Sequence, residues 1–236
     1  MMKNRNIPIR FAIMFLSLIV LAGCANLPPA KSQRDILVIG DSVMAWNRGL
    51  GQEIGDVIAA RLSRDVTSRP VPGAQFDNES ALASAVGFDI QAQYLEGPWK
   101  WVVMNGGAND LGFSDCGCGD CSTQVDRLIS ADGTGGVIPA FLDRVKRDGA
   151  SVLWMGYYNS PGTSFKGCAD DLEVLETRIK RNLAGKPNGF FLEGENFVNR
   201  NDPSHFASDG THPSPKGSAI LGTALADIIV AASQTR

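Results

Sequence analysis

The chain has 236 residues, 44% of them apolar, with 22 basic and 25 acidic side chains and a formal charge of −3. That length and composition suit one domain with an ample core, with no internal repeat, low-complexity tract or second domain in view. An acidic balance argues against nucleic acid as the partner.

Lys3, Arg5 and Arg10 open the chain as a basic segment, and the apolar run from Phe11 to Ala22 is too short for a comfortable transmembrane helix. Residues 1–23 therefore read as a secretory signal. The signal ends in Leu21-Ala22-Gly23-Cys24, which resembles a bacterial lipobox, so cleavage before Cys24 and its lipidation are expected rather than an ordinary small-residue cleavage. Its removal takes three basic residues from 22, leaving 19 against 25 acidic, a formal charge of −6. Residues 24–34 form a tether and residues 35–236 the folded domain. Ala25 in place of an aspartate favours an outer-membrane destination where the envelope is Gram-negative. The expected product is an envelope protein that meets the membrane through its lipid and is otherwise monomeric.

Within the domain, Ile36-Leu37-Val38-Ile39 reads as a strand buried on both faces of a parallel sheet. It runs into Gly40-Asp41-Ser42, and Val43 to Arg64 can continue as helix, with Leu50, Ile54, Val57, Ile58 and Leu62 as its core stripe. Ser42 would then stand at the carboxyl edge of the sheet, where open α/β proteins put ligands; a simple helix cap satisfies the tripeptide equally. Asp65–Val71 suggests a second strand, ending in a turn at Gly73 that ordinary turn chemistry also explains. Phe88–Leu95 reads as a helix, Trp99–Met104 as a third, central strand, and Asn105-Gly106-Gly107-Ala108-Asn109-Asp110 as the loop it opens into. Helices are expected at Ser122–Ser130, Val137–Arg147, Asp170–Leu183 and Gly217–Ala232, with strands at Ser151–Gly156 and Phe190–Leu192. This alternation implies an α/β fold: a three-layer α/β/α sandwich on a central parallel sheet of about five strands, with right-handed crossovers.

Besides Cys24 the chain has Cys116, Cys118, Cys121 and Cys168. An even set in an exported protein favours disulfides over a four-thiolate zinc site. Pairing Cys116 with Cys118 would strain a very short loop, so Cys168 is expected to take one cysteine of the cluster and leave the other two to pair.

His205 and His212 are the only histidines. A serine esterase needs a base and an acid that orients it, and Asp209 precedes His212 at a spacing that lets a loop join them, though a plain loop lock has the same spacing. Taken together, Gly40-Asp41-Ser42, Gly73, Gly107-Ala108-Asn109-Asp110 and Asp209-Gly210-Thr211-His212 resemble, in order, the four blocks of the SGNH hydrolases, also called GDSL esterases and lipases. The resemblance spans the whole mature domain and carries a flavodoxin-like sheet with it. There is no Gly-x-Ser-x-Gly elbow of the α/β-hydrolase kind.

The resemblance implies Ser42 as nucleophile, His212 as base, Asp209 as its orienting acid, and an oxyanion hole from the backbone N–H groups of Ser42 and Gly73 and the amide of Asn109. Asp41 and Asp110 would brace the loops. His205 reads as a solvated loop residue ahead of a substrate contact, and Trp46, Tyr157 and Tyr158 fit either an acyl or sugar pocket or the core. The implied activity is hydrolysis of a carboxylic ester without metal or cofactor. Lacking a long apolar lid, the chain points to a short acyl group, such as acetyl, on a glycan or small ester. Lysophospholipase or thioesterase action, a catalytically idle lipoprotein that binds a glycan or acyl chain, and an interaction protein built on the cysteine loop are the alternatives.

Overall fold

The computed structural model describes residues 34–78 and 80–234. The expected signal, Cys24 and the tether up to residue 33 lie outside them. In chain order the elements are β1 (Arg34–Ile39), α1 (Ser42–Ala45), α2 (Ile54–Leu62), β2 (Val66–Ser68), α3 (Ala81–Val86), α4 (Ile90–Gln93) and β3 (Trp99–Met104). They continue with α5 (Ala108–Gly112), α6 (Ser122–Leu128), α7 (Val137–Arg147), β4 (Ser151–Met155), α8 (Ala169–Leu183), β5 (Gly189–Leu192) and α9 (Pro215–Gln234). All strand pairs are parallel, in the order β2-β1-β3-β4-β5. Register puts Val38 opposite Val103, and Val103 opposite Leu153.

Period-two geometry divides the central strands between two cores. Leu37, Ile39, Val102, Met104, Val152 and Trp154 pack with α4, α6, α7 and α8, through residues such as Ile90, Leu128, Phe141 and Leu175. Ile36, Val38, Trp101, Val103, Leu153 and Met155 pack with α1, α2 and α9, through Met44, Ile58 and Leu225. Helices thus cover both faces, giving the three-layer α/β/α architecture. Strand order reverses between β1 and β3, the place where open sheets of this kind leave a crevice at their carboxyl ends.

Several elements depart from the sequence pattern. The stretch 43–64 is two helices joined by a 3₁₀ turn at Arg48–Leu50, because Asn47 takes a left-handed conformation (φ +69°). Leu50, expected in the core stripe, is 65% exposed as a result. β2 is only three residues long: Pro70 and Pro72 lack the N–H a ladder needs, although Arg69 and Val71 still donate to Val38 and Gly40 at 2.9 and 3.0 Å. The helix expected at Phe88–Leu95 shrinks to α4, and α3 before it has no counterpart in the sequence pattern. The cysteines pair as expected, Cys116 with Cys121 and Cys118 with Cys168, so none of the four is a thiolate available to zinc.

Candidate active site

Ser42 is the first residue of α1, at the end of β1. The cap of that helix is Asp41, whose Oδ1 accepts the Val43 N–H at 2.9 Å, so Ser42 is left free to point its hydroxyl elsewhere. Two buried amides hold this corner. Asn105 accepts the Asp41 N–H at 3.0 Å and donates to Asp41 Oδ1 at 2.8 Å; Gln93 accepts the Gly40 N–H at 2.7 Å and donates to the Gly40 carbonyl at 3.0 Å. Tyr157, in the loop after β4, donates its hydroxyl to Asp41 Oδ2 and accepts the Ala108 N–H at 3.2 Å. Burial raises the Asp41 pKa, and the bonds from Tyr157, Asn105 and Val43 oppose it.

The last loop before α9 supplies Asp209 and His212. Asp209 Oδ1 accepts the N–H groups of Thr211 and His212 at 2.8 and 3.0 Å, which folds the loop, while Oδ2 meets His212 Nδ1 at 2.6 Å. A carboxylate only accepts, so Nδ1 carries the ring proton and Nε2 is left to accept. Ser42 Oγ donates to that Nε2 at 2.9 Å. Burial pushes the Asp209 pKa up, but the bonds from the His212 ring, the His212 N–H and the Thr211 N–H outweigh it and leave the pKa below the usual value. Asp209, His212 and Ser42 are therefore joined in one hydrogen-bonded line.

Asn109 stands in the first turn of α5, buried, and donates Nδ2 to the Ala74 carbonyl at 2.9 Å. That leaves the second amide hydrogen for another acceptor. Gly73, next to Ala74, has φ +83°, a conformation that favours glycine. The segment that follows it hangs on Asp110, whose carboxylate accepts the N–H groups of Phe76 and Asp77 at 3.0 and 2.8 Å. Burial raises the Asp110 pKa to about 7. Both aspartates thus brace loops, as the sequence suggested.

A small cleft of about 70 Å³ lies along Ser42, Asn109 and His212, with Val43, Ala108, Phe165 and Leu172 as apolar wall. Tyr157, Tyr158 and Leu172 also line an adjoining, larger groove of about 540 Å³, whose other residues include Asn159, Thr177, Lys180, Glu173, Glu176 and Glu193. Glu176 accepts the Tyr157 N–H at 2.6 Å, and burial together with neighbouring Glu193, Glu195 and Glu173 overrides that bond and raises its pKa to about 7. Tyr158 donates its hydroxyl to the Thr211 carbonyl at 3.0 Å, so the two tyrosines are pocket residues and network members at once.

His205 is not the solvated residue expected. It is buried; its Nδ1 accepts the Asn199 N–H at 3.0 Å and its Nε2 lies 3.2 Å from Asp202, so it locks its own loop away from the cleft. Sequence reasoning missed Asn105, Gln93 and Glu176. The only signal for Asn105 was an amide at the end of a strand that is apolar but for Lys100.

No protein-family model matches the sequence, and no curated protein matches it. Solved structures do. A carbohydrate acetylesterase family member from Sinorhizobium meliloti superposes with a TM-score of 0.60 at 17% identity, over 85% of this chain and 99% of that one. A protein of Slackia heliotrinireducens assigned to the SGNH hydrolases gives 0.53 at 19% identity, over 84% and 99%. This is the SGNH-hydrolase fold. An acetylxylan esterase from Geobacillus stearothermophilus, solved as a catalytic mutant, shares it with a TM-score of 0.56 at 18% identity, over 83% of this chain and 94% of its own. In this SGNH-type sheet, Ser42 follows β1, Asn109 follows β3 and His212 precedes α9, so three distant segments meet at the carboxyl edge.

Proposed function

We propose that the protein is a serine ester hydrolase that removes a short acyl group, acetyl foremost, from a glycan or a small polyhydroxylated alcohol. The observation that carries this is the line Ser42 Oγ, His212 Nε2, His212 Nδ1, Asp209 Oδ2, with spacings of 2.9 and 2.6 Å. In this reading Ser42 Oγ attacks the ester carbonyl as its proton passes to Nε2. Asp209 keeps the proton on Nδ1 and stabilises the imidazolium. The negative oxygen of the tetrahedral intermediate is received by the N–H groups of Ser42 and Gly73 and the free hydrogen of Asn109 Nδ2. Each such donor typically contributes about 3–4 kcal/mol in the transition state. His212 then protonates the departing alcohol, and water, activated by the same nitrogen, releases the acid from the acyl-serine.

The two spaces support a small acyl group on a larger alcohol. A cleft of about 70 Å³ admits an acyl group of a few heavy atoms, and its Val43, Phe165 and Leu172 wall suits a methyl end. The wider, polar groove beside it suits an alcohol with many hydroxyls, and its carboxylates disfavour an anionic lipid headgroup. The carbohydrate acetylesterase family member and the acetylxylan esterase that share this fold support the same substrate class. The lipobox-like end of the expected signal supports an envelope location, with an acetylated envelope or extracellular glycan as the material at hand.

Purified protein assayed on p-nitrophenyl esters from acetate to decanoate, and for acetate release from acetylated xylan, tests the proposal. Turnover should fall with chain length and vanish in Ser42→Ala. Full activity in Ser42→Ala would end the acyl-serine mechanism, and a preference for decanoate would end the short-acyl assignment.

A further inference from the structure

Trp46 lies flat on the imidazole of His212, the ring centroids 3.7 Å apart and the planes 4° from parallel. It stands one helical turn beyond the nucleophile: its N–H donates to the Ser42 carbonyl at 2.8 Å, and residues four apart share a helix face. The short helix α1 and the residue that caps its C-terminus thus offer His212 a hydroxyl at its edge and an indole on its face. The next residue pins this arrangement. Asn47 donates Nδ2 to the carbonyl of Pro213 at 3.1 Å and to Ser218 Oγ at 2.9 Å, tying the end of α1 to the residue after His212. Trp46 does not belong to the acyl cleft, whose apolar wall is Val43, Ala108, Phe165 and Leu172. Its contact is with the base.

We propose that Trp46 is a positioning residue for His212, fixing the tilt of the ring and stabilising its cationic form. The inference rests on the acyl-serine reading above. As the Ser42 Oγ bond to the carbonyl carbon forms, the Oγ proton moves to Nε2 and the ring becomes an imidazolium. It returns to neutral when that proton passes to the alcohol oxygen whose bond to carbon breaks. A cation over an aromatic face is drawn to the negative π surface, whereas a neutral ring gains dispersion alone. The stack is therefore stronger at the transition state than before it, which puts its effect in kcat rather than KM. With 19% of the His212 side chain exposed, the indole also keeps water from one face of the charged ring. Asp209 holds the remaining nitrogen, so edge, face and far side of the base are all fixed.

Steady-state kinetics of Trp46→Leu and Trp46→Phe on p-nitrophenyl acetate give the first test. Leucine should lower kcat by about 3- to 30-fold and phenylalanine by less, as a cation over a smaller ring predicts. A Trp46→Leu enzyme with wild-type kcat, or one altered in KM alone, would overturn the proposal and make Trp46 a wall of the substrate site. The second test needs no turnover. Trp46 emission, taken as the difference between wild type and Trp46→Phe, should fall as His212 gains a proton on acidification and stay level in His212→Gln. The carboxylates facing the ring are Asp209 from its own loop and Asp41 at the start of α1, both present in all these variants. An emission change that survives His212→Gln overturns the stack. If esterase activity is absent but the emission behaves as expected, the esterase reading fails and the clamp stands; an active enzyme with indifferent emission keeps the esterase reading and removes the clamp. Should Trp46→Leu fail to fold, Trp46→Phe and the emission still decide.

Discussion

Asn109 donates its amide to the Ala74 carbonyl at 2.9 Å, so the loop that carries Gly73 hangs from the helix that carries the amide. Gln75 reinforces the link by donating to the Asn109 carbonyl at 3.1 Å, and Asp110 takes the next two backbone N–H groups of that loop. The two proposed donors therefore move as one piece. Truncation to Asn109→Ala should lower kcat by about 10²- to 10³-fold with little change in KM, the loss typical of one oxyanion donor. Because it also cuts the loop free, the melting temperature should fall in the same variant. Retention of kcat within a few-fold would take Asn109 out of the hole.

Gly40 leaves no room for a side chain. A Cβ there would come within 2.1 Å of Asn105 Oδ1, and φ is +140°. Asn105 holds Asp41 at both its N–H and its carboxylate, so Gly40→Ala should push that amide aside and leave a buried carboxylate short of a donor. The expected cost is about 2–4 kcal/mol in urea unfolding, larger than for Asn105→Ala, which loses the bonds but not the space. Equal costs would show that the clash relaxes.

Much of this arrangement could be read in the chain and some of it could not. β1, β3 and β4 announce themselves because strands covered on both faces have no polar alternation, and α7 because its apolar stripe is regular. The break at Asn47 hides inside a helical pattern, since a single left-handed residue leaves no periodic trace. α3 escapes for a related reason: it buries little beyond Ala83, while Leu82 and Val86 are 74% and 51% exposed. Glu176 sits among Glu173 and Thr177 as any surface charge would, and only the loop after β4 folding across it makes it half-buried. The stack of Trp46 on His212 joins residues far apart in the chain, and ring geometry has no sequence period.

Glu176 sets a pH dependence whose sign can be worked out. Its folded pKa is about 7, above the usual carboxylate range, so the fold favours the protonated acid. Stability from this group is complete below the unfolded pKa of about 4.3 and is lost as pH rises through about 7. Glu176→Gln keeps an oxygen for the Tyr157 N–H and removes the charge. By urea unfolding the variant should match wild type near pH 4 and exceed it by about 2–3 kcal/mol at pH 8. Asp110 titrates in the same direction but is common to both proteins and cancels. A variant less stable than wild type at pH 8 would mean that the ionised carboxylate recruits a donor that glutamine does not.

The two disulfides should not weigh equally. Cys116–Cys121 closes a separation of 5 residues and Cys118–Cys168 one of 50. Loop-closure entropy predicts stabilisation of about 2 kcal/mol for the first and about 4 kcal/mol for the second. Their places in the fold differ as well. Cys168 is the residue before α8, and the segment leading to it carries Ser160 and Phe165 of the cleft wall, while Cys118 follows α5, whose first turn holds Asn109. The longer bridge thus fastens the proposed acyl wall to the element that bears the proposed oxyanion amide. Cys118→Ser with Cys168→Ser should lower the unfolding free energy by about twice the loss seen for Cys116→Ser with Cys121→Ser, and should raise KM for p-nitrophenyl acetate as the wall loosens. If both pairs cost the same and KM stays put, the bridge merely joins two surface loops.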